Sequence, residues 1–173
     1  MRILLEGRPG AGKSTVARRL ADRLGQDGIP VSGFVTEEIR GSGRRLGFSI
    51  ERFGGERGVL AHVDLPGPPR VGRYGVDLAA FERLAIPALD QAGEDEVAIV
   101  DELGKMELAS DAFRDAFAAV LDRPVPVVAT VQSASHPFTD ALKRRSGVET
   151  VRVTTANRDA LPEALAALVR SAR

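Results

Sequence analysis

Eight residues near the start of the chain have the spacing needed to hold a polyphosphate. Gly7-Arg8-Pro9-Gly10-Ala11-Gly12-Lys13-Ser14 fits G-x-x-x-x-G-K-[ST]. The glycines let the backbone curl so that successive N–H groups converge on one anion. A helix that begins there adds the positive end of its dipole. Lys13 can reach the β- and γ-phosphates, and the Ser14 hydroxyl suits a Mg²⁺ ligand, with Thr15 nearer the α-phosphate. The predicted ligand is a nucleoside triphosphate with Mg²⁺.

A second set of chemical groups lies far along the chain. Val97-Ala98-Ile99-Val100-Asp101-Glu102 is an apolar run that ends in two carboxylates. Ligands of open α/β sheets bind at the carboxyl ends of strands. Asp101 is therefore placed to hold the Mg²⁺ shell, and Glu102 to orient or deprotonate an attacking water. Glu37 and Glu38 follow another strand and are a rival source of that carboxylate. Transfer of a phosphoryl group also needs positive charge near the transition state. Lys105, Arg40, Arg73 and Lys143-Arg144-Arg145 are the candidates, Lys105 foremost because it follows Glu102 by three residues. Lys13, Lys105 and Lys143 are the only lysines among 24 basic residues. His62 and His136 have no partner at ligand spacing and read as structural.

The elements that position these groups follow from periodicity. Ile3 to Glu6 reads as a buried strand, and Val16, Leu20 and Leu24 mark one face of a helix from Lys13 to Leu24. Val31 to Thr36 is a second strand. Leu46 to Phe53, the turn Gly54-Gly55 and Gly58 to His62 predict an antiparallel hairpin, followed by an irregular loop to Val76 that contains Pro66-Gly67-Pro68-Pro69. Asp77 caps a helix to Ala92 that Pro87 should kink. Strands over 97–100, 125–131 and 148–153 then alternate with helices over 110–121, 138–145 and 160–170. This order predicts an α/β sandwich around a mostly parallel sheet with the hairpin inserted. The segment 155–158, polar and beyond the last strand, is expected beside the nucleotide base. Arg158 there can stack on any base.

Composition fits one domain spanning 1–173. Hydrophobic residues are 43% and charged residues 28%, and the formal net charge is zero, so no global basic excess points to nucleic acid. The absence of cysteine excludes disulfides and thiolate metal sites and is compatible with the cytoplasm. No run reaches the length of a membrane span or a signal peptide. Oligomeric state is left open, and a monomer is compatible with everything above.

Several segments in order resemble one family. They are Gly7 to Thr15, Gly33-Phe-Val-Thr-Glu-Glu-Ile-Arg40 with Arg45-Leu-Gly-Phe48, Val71 to Val76, Phe81-Glu82, Asp101-Glu-Leu-Gly-Lys-Met-Glu-Leu108, Ala129-Thr-Val131 and Asn157-Arg-Asp159. Together they look like the small nucleoside-triphosphatases called cancer-related NTPase in vertebrates, also known from thermophilic microbes. The resemblance implies a three-layer, RecA-like P-loop fold, loose base selectivity and hydrolysis of several nucleoside triphosphates to diphosphate and phosphate. It implies that Gly10 to Thr15 form the phosphate loop and Asp101 and Glu102 the acidic pair, and it raises Lys105 above the other cations. Two other functions share the motif. A nucleotide or nucleoside kinase could use the arginines at 40, 44, 45, 70 and 73 to clamp an acceptor. A GTPase-type switch would carry Asn-Lys-x-Asp after a late strand, which Asn157-Arg158-Asp159 is not.

Overall fold

A computed structural model describes residues 1–172. Nine strands form one sheet in the order β5-β6-β4-β3-β2-β7-β8-β1-β9. One half is parallel: β2 (Val31–Gly41), β7 (Val97–Leu103), β8 (Val127–Gln132), β1 (Arg2–Gly7) and β9 (Glu149–Arg152). The other half is antiparallel and begins on the outer edge of β2, with β3 (Arg44–Arg52), β4 (Arg57–His62), β6 (Tyr74–Val76) and β5 (Arg70–Val71).

Alternation along the parallel strands builds the layers. Ile3 and Leu5 of β1, with Val97 and Ile99 of β7, pack under α1 (Lys13–Gln26) and α5 (Leu161–Ser171). Leu4, Ala98 and Val100 face the opposite core, with α2 (Leu78–Asp90), α3 (Asp111–Val120) and Leu142 of α4 (Pro137–Lys143). Phe34, Phe81 and Phe113 form an aromatic group in that core, Phe81 edge-on to the other two, their centroids 4.8–5.8 Å apart. The three-layer α/β arrangement expected from the sequence is borne out, as is the Asp77 cap, whose carboxylate accepts from the Ala80 N–H at 2.9 Å. No helix among the described residues is long and apolar enough to cross a membrane.

Two local expectations differ. β2 does not stop at Thr36. Its parallel pairing with β7 covers only Val31 to Phe34, after which β3 takes over and carries the strand to Gly41. Glu37 and Glu38 therefore lie opposite Ser49 and Phe48 on a paired strand, not in a turn. The stretch read as an irregular loop to Val76 also contains β5 and β6, a short hairpin paired to β4. The inserted hairpin is thus a four-stranded extension of the main sheet.

Candidate active site

The chain leaves β1 at Gly7 and enters α1 at Lys13, and the turn between is the floor of a cleft of about 550 Å³. Gly10 and Gly12 adopt φ of +79° and +103°, which L side chains rarely tolerate. At Gly12 there is a second constraint: an added Cβ would sit 2.8 Å from Cδ of Arg158, whose side chain lies across the loop. Lys13 is almost wholly buried, its ammonium donating to the Gly7 carbonyl at 3.1 Å. Ser14 and Thr15 line the same cleft. Gly7 to Thr15 thus run from the end of β1 through the turn into the first residues of α1. Arg8, Pro9, Gly10 and Ala11 also face a second cleft of about 490 Å³, bounded by Arg152, Val153, Thr154 and Thr155. The loop after β9 is shaped by Asn157, whose carbonyl oxygen accepts from the Thr154 N–H and whose amide donates to the Arg152 carbonyl, both at 2.8 Å.

The acidic pair meets this loop from β7. Pairing of β7 with β8 is interrupted between Val100 and Leu103, and Asp101 and Glu102 fall in that gap. Asp101 is fully buried. One of its oxygens, Oδ1, accepts from Ser14 Oγ at 3.0 Å and from Thr130 Oγ1 at 2.7 Å. The other, Oδ2, is buried with no hydrogen-bond partner. Burial pushes the Asp101 carboxyl above its ordinary range, opposed by the Thr130 and Ser14 hydroxyls and reinforced by the charge of Glu102. Glu102 is partly exposed, 3.7 Å from the Lys13 ammonium, and accepts from Gln132 Nε2 at 2.7 Å. Alternation alone would turn these neighbours to opposite faces; the contacts with Ser14 and Lys13 bring both to the P-loop.

Three residues of this site carried no chemical role in the sequence reading. Thr130 and Gln132 sit at the end of β8, the strand beside β7, where the strand-end rule could have found them. Glu107 is the third. It lies in a 3-10 turn (Glu107–Ala109) and is buried, its carboxyl accepting from the Gly104 N–H at 3.2 Å. Burial pushes its pKa up to about 8, with backbone N–H groups opposing and the charges of Glu102 and Asp101 adding to the rise. A Cβ on Gly104 would meet the Glu107 and Glu102 carboxyls at 2.9 and 3.2 Å, so a side chain there would push these carboxyls aside. Burial of this kind is invisible in a short segment of mixed residues.

Of the other expected residues, Glu37 and Glu38 do line the cleft. Each is held by two arginines: Glu37 by Arg18 at 3.0 Å and Arg57 at 2.9 Å, Glu38 by Arg40 and Arg45. Burial raises the Glu38 carboxyl, but the Arg45 and Arg40 hydrogen bonds outweigh it and leave the pKa lowered. Lys105 is exposed at the turn after β7 and lines a separate small cavity of about 30 Å³ with Gln132 and His136. Arg73 donates to the Arg45 carbonyl, Lys143 pairs with Glu6 and Arg145 with Asp122. The cations that do line the cleft are Lys13, Arg45 and Arg158. Both histidines accept backbone N–H bonds through Nδ1, His62 from Asp64 and His136 from Phe138, in keeping with structural roles.

A glycine loop between β1 and α1, with a buried Asp at the end of β7, two strands away across β8, defines this chain as a P-loop nucleotide-binding α/β protein. The family model described as NTPase matches residues 2–166, and the chain belongs to that family. It is 44% identical over 162 residues to the nucleoside-triphosphatase THEP1 of Thermotoga petrophila, covering 93% of this chain and 88% of that protein. It is 37% identical to the human cancer-related nucleoside-triphosphatase, over 99% and 97% of the two chains. The crystal structure of THEP1 from the hyperthermophile Aquifex aeolicus superimposes with a TM-score of 0.87 at 36% identity, covering 97% of this chain and 98% of that one. The resemblance read from the motifs is borne out.

Proposed function

We propose that this protein is a nucleoside-triphosphatase that hydrolyses Mg²⁺-bound triphosphates to diphosphate and phosphate in the cleft above the P-loop, within one domain. The observation that carries the reading is the convergence of Lys13, Ser14, Asp101 and Glu102 on that loop, each through a contact with another of them or with the loop itself. The names of the relatives agree with it.

The residues fit a Mg²⁺ ion. Ser14 Oγ and the Asp101 carboxylate are hard oxygen donors, and the buried Oδ2 of Asp101 lacks any partner in the protein. Ser14 and Asp101 are the residues that would hold it, Asp101 directly or through water. When bound, the ion neutralises charge on the β- and γ-phosphates. The protein's own groups do the rest. The N–H groups from Gly10 to Ser14 and the Lys13 ammonium bind the phosphate chain. Glu102, held by Gln132 and Lys13, orients a water and takes its proton as the oxygen attacks the γ-phosphorus. The bond to the β–γ bridging oxygen breaks, leaving nucleoside diphosphate and inorganic phosphate. The base occupies the cleft between Arg8–Ala11 and Arg152–Thr155, with Arg158 across the loop. A planar guanidinium such as that of Arg158 can stack on any base, which agrees with broad base use. The lack of cysteine agrees with a cytoplasmic setting.

The test is a phosphate-release assay with ATP, GTP, CTP and UTP, with and without Mg²⁺, and with and without nucleoside and nucleotide acceptors. Steady Mg²⁺-dependent phosphate release without an acceptor is expected for more than one base. Phosphate transfer that requires an acceptor would replace this reading with a kinase.

A further inference from the structure

We infer that Arg45 is a catalytic arginine supplied by the same chain, contacting the γ-phosphoryl group as charge develops on it. The inference rests on the hydrolase reading and adds a residue to it.

Charge accounting in the cleft leads there. Phosphoryl transfer spreads negative charge over the equatorial oxygens of the γ-phosphorus, so a cation that engages them late accelerates the step. Lys13 is one such charge, but its ammonium is already shared with Glu102 and the Gly7 carbonyl. The basic groups favoured by sequence position are elsewhere: Lys105 is exposed outside the cleft, and Lys143 and Arg145 are paired on other surfaces. Among the described residues, Arg45 and Arg158 are the arginines that line the cleft, while Arg18, Arg57 and Arg40 are bonded to its Glu37 and Glu38. Arg158 lies against Gly12 at the start of α1. Arg45 comes from the opposite wall, on β3, next to Thr36, Glu37, Glu38 and Phe48.

Arg45 is held beside the cleft and is releasable. Its guanidinium lies 5.4 Å from the centroid of the Phe48 ring, and Phe48 is itself set edge-on against Tyr74 at 5.4 Å. Its carbonyl is held by the Arg73 guanidinium. Its partner carboxylate, Glu38, is bonded by Arg40 as well. When a phosphoryl group draws Arg45 away, Glu38 keeps Arg40 and is not left as an unpaired charge. A planar fork of donors suits the equatorial oxygens in a way that a lysine ammonium does not.

The experiment compares wild type, Arg45→Ala, Arg45→Lys and Glu38→Gln. It measures kcat and KM for Mg-ATP, affinity for Mg-ADP, and affinity for Mg-ADP with aluminium fluoride, a mimic of the transferring group. Arg45→Ala should lose kcat by about 10²–10³-fold, with KM and ADP affinity within about threefold of wild type, a window well below the tenfold that one lost charged contact produces. It should not gain affinity on adding aluminium fluoride. Arg45→Lys keeps the stem that packs on Phe48, so a folding defect in the alanine variant does not decide the matter. It should fold normally and still lose most of the fluoride-dependent gain. Glu38→Gln keeps Arg45 and should retain that gain. Equal turnover in Arg45→Ala and an active wild type overturns the inference alone. So does a loss that falls equally on ADP and transition-state affinity, or one that appears in Glu38→Gln but not in Arg45→Lys. A wild type that releases no phosphate overturns the hydrolase reading and this inference with it.

Discussion

Replacing Glu102 with Gln tests the assignment of the catalytic base, and its consequences can be worked out from the contacts. The amide has the size of the carboxylate. Its oxygen can still accept from Gln132 Nε2, which sits 2.7 Å from Glu102 Oε1. What is lost is the negative charge 3.7 Å from Lys13. Glu102 is partly exposed and the buried Lys13 ammonium keeps the Gly7 carbonyl, so the fold and the P-loop should survive. Freed from Glu102, Lys13 is no worse a phosphate ligand, and affinity for Mg-ATP should hold or rise. Proton removal from water is different, because the amide cannot accept a proton. The expected loss in kcat is about 10²–10⁴-fold, or about 2.7–5.5 kcal/mol in the barrier. Fluorescent-nucleotide titration and single-turnover phosphate release separate the two effects. Glu37→Gln is the control, since Glu37 lines the same cleft but its carboxylate is engaged by Arg18 and Arg57. Normal hydrolysis in Glu102→Gln with abolished hydrolysis in Glu37→Gln would move the base to Glu37. Normal hydrolysis in both would refute the carboxylate mechanism.

Three further outcomes are expected. Lys13→Ala should weaken Mg-ATP binding by about 10–100-fold, because one charge-assisted contact in a desolvated site contributes about 1.5–3 kcal/mol; titration at constant ionic strength checks it. Asp101→Asn should keep the Ser14 and Thr130 contacts on its carbonyl but put an amide where Oδ2 stands; the Mg²⁺ concentration needed for tight nucleotide binding, read by fluorescence, should rise at least tenfold. Glu107 has a folded pKa near 8 against an ordinary 4.5, so the native state holds a proton that the unfolded chain releases. Its contribution is fully present below pH 4.5 and is lost as pH rises toward 8, by at most about 1.4 kcal/mol per pH unit. Urea denaturation at several pH values should show wild-type stability falling through that window and Glu107→Gln falling less.

How much of this was legible beforehand depended on whether the signal was local. The P-loop was, because its glycines and Lys13 are contiguous and its strand and helix flank it. The Asp101-Glu102 pair was, because an apolar run followed by carboxylates marks a strand end. β2 was cut short at Thr36 because its second partner, β3, changes which face and neighbour set the pattern. The short strands β5 and β6 are not legible in the sequence because two or three residues beside a proline-rich turn carry no periodicity. Among cations, closeness in sequence to Glu102 favoured Lys105, whereas β3 brings Arg45 to the cleft from more than fifty positions away. Glu107 was hidden for a related reason: its burial depends on the packing of the turn after β7, which no spacing rule reports.

The central claim is that water is the acceptor of the γ-phosphoryl group in this cleft. The most direct measurement is turnover of Mg-ATP in water enriched in ¹⁸O, with mass spectrometry of the products and no other acceptor present. The account predicts one ¹⁸O atom in each phosphate released and none in the ADP, with the labelled product suppressed in Glu102→Gln. Phosphate without label, or phosphoryl transfer only when a nucleoside or nucleotide is added, would contradict it.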